Sequence, residues 1–362
     1  MSEEAPPPTQ PLPPAPEKYL NGIALETKLL LFDGSIKSCH EIQTGDILMG
    51  DDSTPRHVIS ITKVEPSQTI LHKITQKKAV NYIVNKDHYL CLKLSRIRTK
   101  KDVVKILDKE YRKKDLIDIR LQDYMKLSKS TQLDFKAYKR SVEFSPSQKT
   151  LPCDPYIIGL WVVDATIQAN EIHISSFDIL EHCFYILEKY KMALEFVKGN
   201  RYAIQYDDTS KSFTDCVLSV LKITECKCIP HVYKINSREN RLLLLAGIID
   251  CEGTINKNCY ELTITNETVV DDIVFLCLSL GFHASKSVQK TTHSYRVILS
   301  GDLSQIPVID PKKKMTFRKQ IKDISHTGIE IEPLTDVVNG CMEFSVDGNG
   351  RFLTSDFTVL HS

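Results

Sequence analysis

The chain contains two apolar runs that each end in a carboxylate: Tyr156-Ile-Ile-Gly-Leu-Trp-Val-Val-Asp164 and Leu244-Leu-Ala-Gly-Ile-Ile-Asp-Cys-Glu252. Runs that are apolar on every side predict buried helices. The small residues Gly159 and Gly247 would let two such helix backbones approach closely. We therefore predict two helices that pack on each other and set Asp164 and Glu252 side by side.

The sequence after each acid follows the same order of patterns. A strand-like run comes first, then an amphipathic helix pattern, then a second strand-like run. The first copy has these at 171–175, 178–195 and 202–206, and the second copy at 260–265, 269–281 and 294–299. This order predicts a pseudo-symmetric duplication.

Acids at helix C-termini lie where the helix dipole disfavours negative charge, and a divalent cation would compensate for it. Mg²⁺ takes one or two carboxylate oxygens and keeps room for water and phosphate oxygens. That arrangement suits metal-assisted hydrolysis of a phosphodiester. For either run alone, a buried helix with a solvated acidic end is an equal alternative, and it is the repeat that favours a paired site.

The two runs resemble the paired motifs of LAGLIDADG homing endonucleases. The stretch 245–253 is close to the family pattern, and the first run resembles the variant Gly-Leu-Trp-Leu-Gly-Asp-Gly. The resemblance implies that Asp164 and Glu252 bind Mg²⁺, with Mn²⁺ as a substitute, and that one chain cuts both strands of a long asymmetric double-stranded DNA site as a monomer. Val163 and Ala165 replace small residues of the pattern. A DNA-binding protein of the same fold whose cleavage has decayed is therefore the alternative.

Two groups of lysines are catalytic candidates. Lys227-Cys-Ile-Pro230 resembles the Lys-x-Ile-Pro of yeast intein endonucleases, which makes Lys227 a candidate to polarise the attacking water or to hold the scissile phosphate. Its counterpart in the other half is expected within the run Lys312-Lys-Lys314, and we select Lys314. Solvated surface lysines are the alternative for both groups.

The resemblance also places the strands of both repeats in the major groove of DNA, where polar side chains read bases and phosphates. Candidate contacts are His173, Arg201, Tyr202, Gln205, Asn258, Tyr260, Arg296, Lys312 and Lys313. Any half-exposed sheet carries polar residues on one face, so this assignment has a structural alternative. Residues 96–140 carry 15 Lys and Arg against 7 Asp and Glu, which suits either a DNA-recognition insertion or a solvated linker.

The flanking segments resemble Hint (hedgehog/intein) domains. Residues 27–37 and 42–50 alternate apolar and polar residues between glycines and resemble the first splicing block. Asn85-Lys-Asp-His88 resembles the second block, and 342–362, which includes His361, resembles the last two. The junctions differ, because Gly22 replaces the first nucleophile and Ser362 replaces the terminal asparagine. We predict no protein splicing, with an intein still capable of partial self-processing as the alternative.

The predicted fold class is α+β, a β-rich Hint domain split by an inserted pseudo-symmetric LAGLIDADG endonuclease domain of two αββα-type repeats. The predicted parts are a proline-rich disordered tail (1–21), a Hint-like N-terminal part (22–95), a basic linker or DNA-recognition insertion (96–150), the LAGLIDADG domain (151–325) and a Hint-like C-terminal part (326–362).

Composition limits the remaining possibilities. The eleven cysteines form no CxxC pairs at zinc spacing, which favours buried thiols in a reducing compartment. The formal net charge is only +1. No apolar run is long enough to span a membrane, and no apolar signal-peptide core lies near the start. We expect a nuclear or cytoplasmic protein that makes no membrane contact.

Overall fold

The computed structural model describes residues 21–65, 70–77, 79–97, 103–106, 109–145, 151–164, 171–206, 227–317, 323, 325–334 and 340–362. The elements before residue 139 are β1 (Gly22–Ala24), β2 (Lys28–Leu30), β3 (Ile36–Ser38), β4 (Ile47–Met49), β5 (Pro55–Val64), β6 (Leu71–Gln76), β7 (Tyr82–Asn85), β8 (Tyr89–Leu94), β9 (Val103–Ile106), β10 (Lys109–Arg112), β11 (Leu116–Arg120), α1 (Leu121–Lys126), α2 (Lys129–Asp134) and β12 (Phe135–Tyr138).

The middle of the chain alternates helices and strands: α3 (Pro155–Asp164), β13 (Glu171–His173), α4 (Phe177–Glu188), β14 (Met192–Lys198), β15 (Arg201–Tyr206), α5 (His231–Lys234), α6 (Arg238–Glu252), β16 (Thr254–Asn256), β17 (Cys259–Ile264), α7 (Glu267–Ser279), β18 (His283–Gln289) and β19 (Ser294–Ser300). The last part returns to strands: β20 (His326–Thr327), β21 (Ile329–Pro333), β22 (Cys341–Val346), β23 (Arg351–Leu353) and β24 (Val359–His361).

A seven-stranded antiparallel sheet joins the two ends of the chain. Its order is β21-β6-β7-β1-β22-β5-β4, so β1 lies between strands from both flanks. Gly22 is opposite Glu343, and Ala24 is opposite Cys341. The Hint domain is therefore built from both ends of the sequence, as predicted, and the inserted domain separates them.

A second sheet of this domain, in the order β11-β8-β12-β20, marks the point of insertion. Strand β12 leads toward the inserted domain, and β20, the first strand after it, pairs directly with β12 through Ala137 and Thr327. Strands β11 and β12 both pair with β8, and their apolar side chains are buried in the same core. Residues 116–120 and 135–138 therefore belong to a Hint sheet, although the sequence suggested a separate part over 96–150.

The inserted domain has the predicted duplication. Each copy has an apolar helix, an antiparallel sheet and a second helix: α3, β13-β15-β14 and α4 in the first, and α6, β16-β17-β19-β18 and α7 in the second. Serine or asparagine N-caps begin α4, α6 and α7, with the side-chain oxygen accepting a backbone N–H. One large core joins both copies.

The helix predicted over 178–195 ends earlier than expected. Helix α4 stops at Glu188, and Lys191 has a φ of 56°, the left-handed conformation that ends helices. Residues from Met192 onward form β14 instead. Among the described residues, none of the helices has the length and hydropathy needed to cross a membrane.

Candidate functional site

Helices α3 and α6 cross at two glycines. A Cβ on Gly159 would overlap the carbonyl oxygen of Leu244, and one on Gly247 would overlap that of Tyr156. The two backbones are therefore in direct contact, and only glycine permits it.

The two predicted metal-binding acids are the last residues of these helices. Glu252 ends α6 and its side chain is exposed. Asp164 ends α3, and its side chain lies outside the described part of the structure. Val163 is half-buried and packs against the core, whereas Ala165 lies outside the described residues. Each predicted acid is thus the last residue of one of the two crossing helices, and their pairing remains a prediction.

Asp250, two residues before Glu252, has a structural role that the sequence did not reveal. Its buried carboxylate accepts hydrogen bonds from the Tyr156 hydroxyl (2.8 Å) and from the backbone N–H groups of Ile309 (2.6 Å) and Asp310 (3.3 Å). Burial raises the pKa of this carboxyl group, and the hydrogen bonds oppose that effect. Asp250 therefore ties α3, α6 and the segment before the lysine run together.

Lys313 lies at the C-terminal end of α6. Its ammonium group donates to the carbonyl oxygens of Ile249 (3.0 Å) and Asp250 (2.7 Å), which are among the last carbonyls of the helix. Lys312 and Lys314 are exposed. Sequence reasoning selected Lys314 from this run, but the contacts single out Lys313 as the lysine beside the acid-bearing helix end.

Lys227 is associated with the other helix. Its side chain is buried, and its ammonium nitrogen lies 4.8 Å from the centroid of the Trp161 ring, one turn before Asp164. The Asn266 side chain donates to the Lys227 carbonyl oxygen (3.1 Å), and Asp272 accepts from the Ile229 N–H (2.8 Å). Helices α3 and α6 thus each have one lysine in contact with their last turns.

The predicted DNA-contacting side chains fall into two groups. The prediction that Tyr260 contacts DNA is wrong, because this side chain is completely buried and its hydroxyl donates to the Lys313 carbonyl oxygen (2.5 Å). It shares the inward face of β17 with Leu262 and Ile264. Its contribution is to hold the lysine run against the core.

The other strand candidates are at least partly exposed. Gln205 donates to Glu195 (3.0 Å), and Arg296 donates to Glu261 (2.7 Å). His173 and Arg201 are opposite each other on β13 and β15, and Asn258 is in the turn between β16 and β17 with a φ of 64°. Tyr202 is half-buried against Phe196. Their contact with DNA remains a prediction.

The residues left from the splicing blocks converge in the Hint domain. The Gly22 N–H donates to the buried Asn85 side chain (3.1 Å), and a Cβ on Gly22 would overlap the Cys341 sulfur. His88 is completely buried, and within the described residues neither of its ring nitrogens has a hydrogen-bond partner. Burial and, to a lesser degree, His361 lower the pKa of His88 to about 3. A neutral histidine therefore sits in this core.

The C-terminal residues complete that region. His361 Nδ1 lies 2.6 Å from the carbonyl oxygen of Ser362, and its ring is 5.5 Å from the Tyr89 ring. The Asn21 side chain donates to the His361 carbonyl oxygen (2.9 Å), so the beginning and end of the described chain meet here. Gly22 thus contacts Asn85, and His361 contacts Asn21, the residue before Gly22.

Comparison with known proteins agrees with this architecture. Residues 23–147 match the family described as Hom_end-associated Hint, and residues 239–305 match the family described as LAGLIDADG-like domain. No curated protein sequence matches the chain.

Among solved structures, mesophilic variants of the homing endonuclease I-DmoI are 13% identical, with a TM-score of 0.32, and the match covers 41% of this chain and 88% of that one. I-DmoI in complex with DNA and Mn is 13% identical, with a TM-score of 0.31, over 41% of this chain and 89% of that one. The gp41-1 intein is 18% identical, with a TM-score of 0.18, over 27% of this chain and 80% of that one.

Proposed function

Because this chain belongs to the LAGLIDADG homing endonucleases on a Hint scaffold, we propose that it cuts both strands of one specific double-stranded DNA site. The observation that carries the proposal is the close crossing of α3 and α6 at Gly159 and Gly247, two helices that each end in one of the predicted acids. A pair of acids on two related halves suits a substrate with two related strands.

The donor chemistry at the helix ends fits a hard divalent cation. Asp164 and Glu252 would hold Mg²⁺, with Mn²⁺ as a substitute, through carboxylate oxygens. Water and phosphate oxygens would complete the coordination shell of the cation. When bound, the cation would stabilise negative charge on the phosphate and lower the pKa of its water.

The lysines supply the remaining positive charge. Lys227 beside α3 and Lys313 beside α6 would donate hydrogen bonds to the attacking water or to a non-bridging phosphate oxygen. We propose Lys313 for the second half instead of Lys314, because it already contacts the end of the helix that carries Glu252. Each lysine would serve one strand.

We propose that the two sheets of the inserted domain bind the DNA. His173, Arg201, Tyr202, Gln205, Asn258 and Arg296 would contact bases or phosphates, and Lys312 would contact phosphate. The site would be long and asymmetric, as the resemblance to the LAGLIDADG family implies. Since one chain holds both acids, a monomer is sufficient.

The test of cleavage is selection on a randomised duplex DNA library in Mg²⁺. Discrete double-strand breaks are expected with the wild type and should be lost in Asp164→Asn and Glu252→Gln. Glu239→Gln is the matched control, because Glu239 is an exposed acid in the first turn of the same helix. A library left uncut by the wild type in both Mg²⁺ and Mn²⁺ would refute the activity.

A DNA-binding protein with decayed cleavage is the second candidate. Half-buried Val163 stands where the family pattern has a small residue, next to the acid that ends α3. Specific binding without cutting, together with cleavage gained by Val163→Gly and Ala165→Gly, would support this candidate.

We also propose that the Hint domain does not splice. Gly22 has no side chain to attack a carbonyl, and Ser362 cannot cyclise as an asparagine does. Mass spectrometry of the purified chain should give only the intact mass after prolonged incubation. A fragment ending before residue 22 would instead support partial self-processing.

A nuclear or cytoplasmic location is proposed as well. The nine described cysteines are all free thiols, and six of the nine are buried. Free thiols are typical of reducing compartments. Imaging of a fluorescent fusion would test this proposal, and secretion into the medium would contradict it.

A further inference from the structure

Trp161 is the only tryptophan of the chain and is 1% exposed within α3. The Lys227 ammonium lies 4.8 Å from the centroid of its ring, inside the range of a cation–π interaction. Lys227 itself is only 7% exposed. Removal from water strengthens this attraction, because less solvent competes for the charge.

The backbone of Lys227 is fixed on the opposite side. Asn266, the N-cap of α7, donates its side-chain N–H to the Lys227 carbonyl oxygen (3.1 Å). Ile229, two residues after Lys227, donates its backbone N–H to the carboxylate of the buried Asp272. Asp272 also pairs with the Lys234 ammonium (2.5 Å). The lysine therefore extends from a fixed backbone to the indole ring.

The surroundings of Lys313, the lysine beside α6, differ from those of Lys227. Ile249 occupies the position three residues before Glu252 that Trp161 occupies before Asp164. An aliphatic side chain has no π face, and Lys313 instead donates to the carbonyl oxygens of Ile249 and Asp250. One catalytic lysine is thus held by an aromatic ring and the other by the helix backbone.

From this asymmetry we propose that Trp161 is the positioning residue of Lys227 and thereby controls cleavage of one DNA strand only. This inference rests on the proposed endonuclease function. Trp161 touches no substrate atom; it acts by holding the ammonium group near the end of α3. Loss of the ring would remove the cation–π contact of Lys227 while leaving the contacts of Lys313 in place, so the variant would nick one strand and leave the other nearly intact.

The contact itself is tested without any cleavage. Because Trp161 is the only tryptophan, the intrinsic tryptophan emission of the full chain reports on this ring alone. We expect Lys227→Met to change the emission intensity and wavelength, and Lys313→Met, the matched control, to leave both unchanged. Identical spectra for the wild type and Lys227→Met would overturn the inference, whether or not the protein cuts DNA.

The consequence is tested on the DNA site selected from the library, with a different label on each strand. Trp161→Leu should slow the strand that Lys227→Met slows, by about 2- to 30-fold as expected for a cation–π contact. Trp161→Phe, which keeps an aromatic face, should retain an intermediate rate. The other strand should be cut within about twofold of the wild-type rate.

The alternatives are distinguishable. A general packing defect would slow both strands equally in Trp161→Leu, and that result would overturn the inference while leaving the endonuclease activity established. Equal rates for Trp161→Phe and Trp161→Leu on the Lys227-dependent strand would overturn it as well. A wild-type protein that cuts no strand refutes the proposed function, and the fluorescence comparison then decides on the Trp161–Lys227 contact alone.

Discussion

At the scale of single residues, the two crossing glycines control the approach of the acid-bearing helices. We predict that Gly247→Ala destabilises the protein, because the new Cβ would overlap the Tyr156 carbonyl oxygen and force α3 and α6 apart. Overpacking of this kind costs about 1–3 kcal/mol. The free energy of unfolding from urea titration measures the loss.

Gly328→Ala is the matched control for this substitution. The nearest atom to a Cβ at residue 328 is in the flexible Lys77 side chain, 3.7 Å away. Its effect should stay within about 0.5 kcal/mol, as at most surface sites. Equal unfolding free energies for the two variants would show that the helices can separate without cost.

The buried His88 gives a pH-dependent prediction. Its folded-state pKa of about 3 lies below the value of 6.5 for an exposed histidine. Below pH 6.5 the unfolded chain binds a proton that the folded chain excludes, so stability decreases as the pH falls toward 3. The loss approaches about 1.4 kcal/mol per pH unit, and this residue has no effect above pH 6.5.

His88→Gln should remove this contribution. Melting temperatures of both proteins between pH 5 and 8 should diverge below pH 6.5, with the wild type losing more stability toward acid. Parallel curves for the two proteins would mean that His88 is protonated in the folded state.

At the scale of elements, the C-terminal end of α6 depends on one lysine. We predict that Lys313→Met weakens the helix end, because two carbonyl oxygens lose a charged donor. Hydrogen bonds to charged groups contribute about 1.5–3 kcal/mol. Cleavage of one strand should fall in parallel, while the exposed Lys314→Met should change neither quantity by a comparable amount. The measurements are urea unfolding and strand-specific cleavage, and a larger effect of Lys314→Met would return the catalytic role to that residue.

Helices α3 and α6 could be predicted from the sequence, because two apolar runs that each contain a small residue allow few arrangements other than two closely packed helices. Tyr260 could have been predicted better, because it alternates with Leu262 and Ile264 and so lies on the apolar face of β17. Lys313 could not be distinguished from its neighbours, since a run of three lysines carries no information on which ammonium faces the helix. Asp250 was missed for a similar reason: its partners are 60 and 94 residues away.

At the scale of the whole molecule, the split Hint domain could be predicted because its blocks resemble a known family at both ends of the chain. The way in which the inserted domain is attached could not be predicted, because it depends on contacts between residues that are distant from each other in sequence. Arg241, in the first turns of α6, is completely buried and donates to the carbonyl oxygens of Asn236 (2.9 Å) and Val142 (2.8 Å) and to the Ser279 hydroxyl (2.7 Å). Val142 follows β12, so this one side chain joins the Hint sheet to the endonuclease helices.

We predict that Arg241→Met lowers the free energy of unfolding by about 3–5 kcal/mol, because buried partners lose their charged donor at once. Burial lowers the pKa of this guanidinium to about 10, so it stays charged at neutral pH. Arg238→Met is the control, since Arg238 also contacts carbonyl and amide oxygens, at Leu280 and Gln305, but is only half-buried, so water can replace it. Calorimetry should show an early transition for the LAGLIDADG domain in Arg241→Met alone. Similar small losses in both variants would mean that the two domains are joined mainly by their apolar contacts.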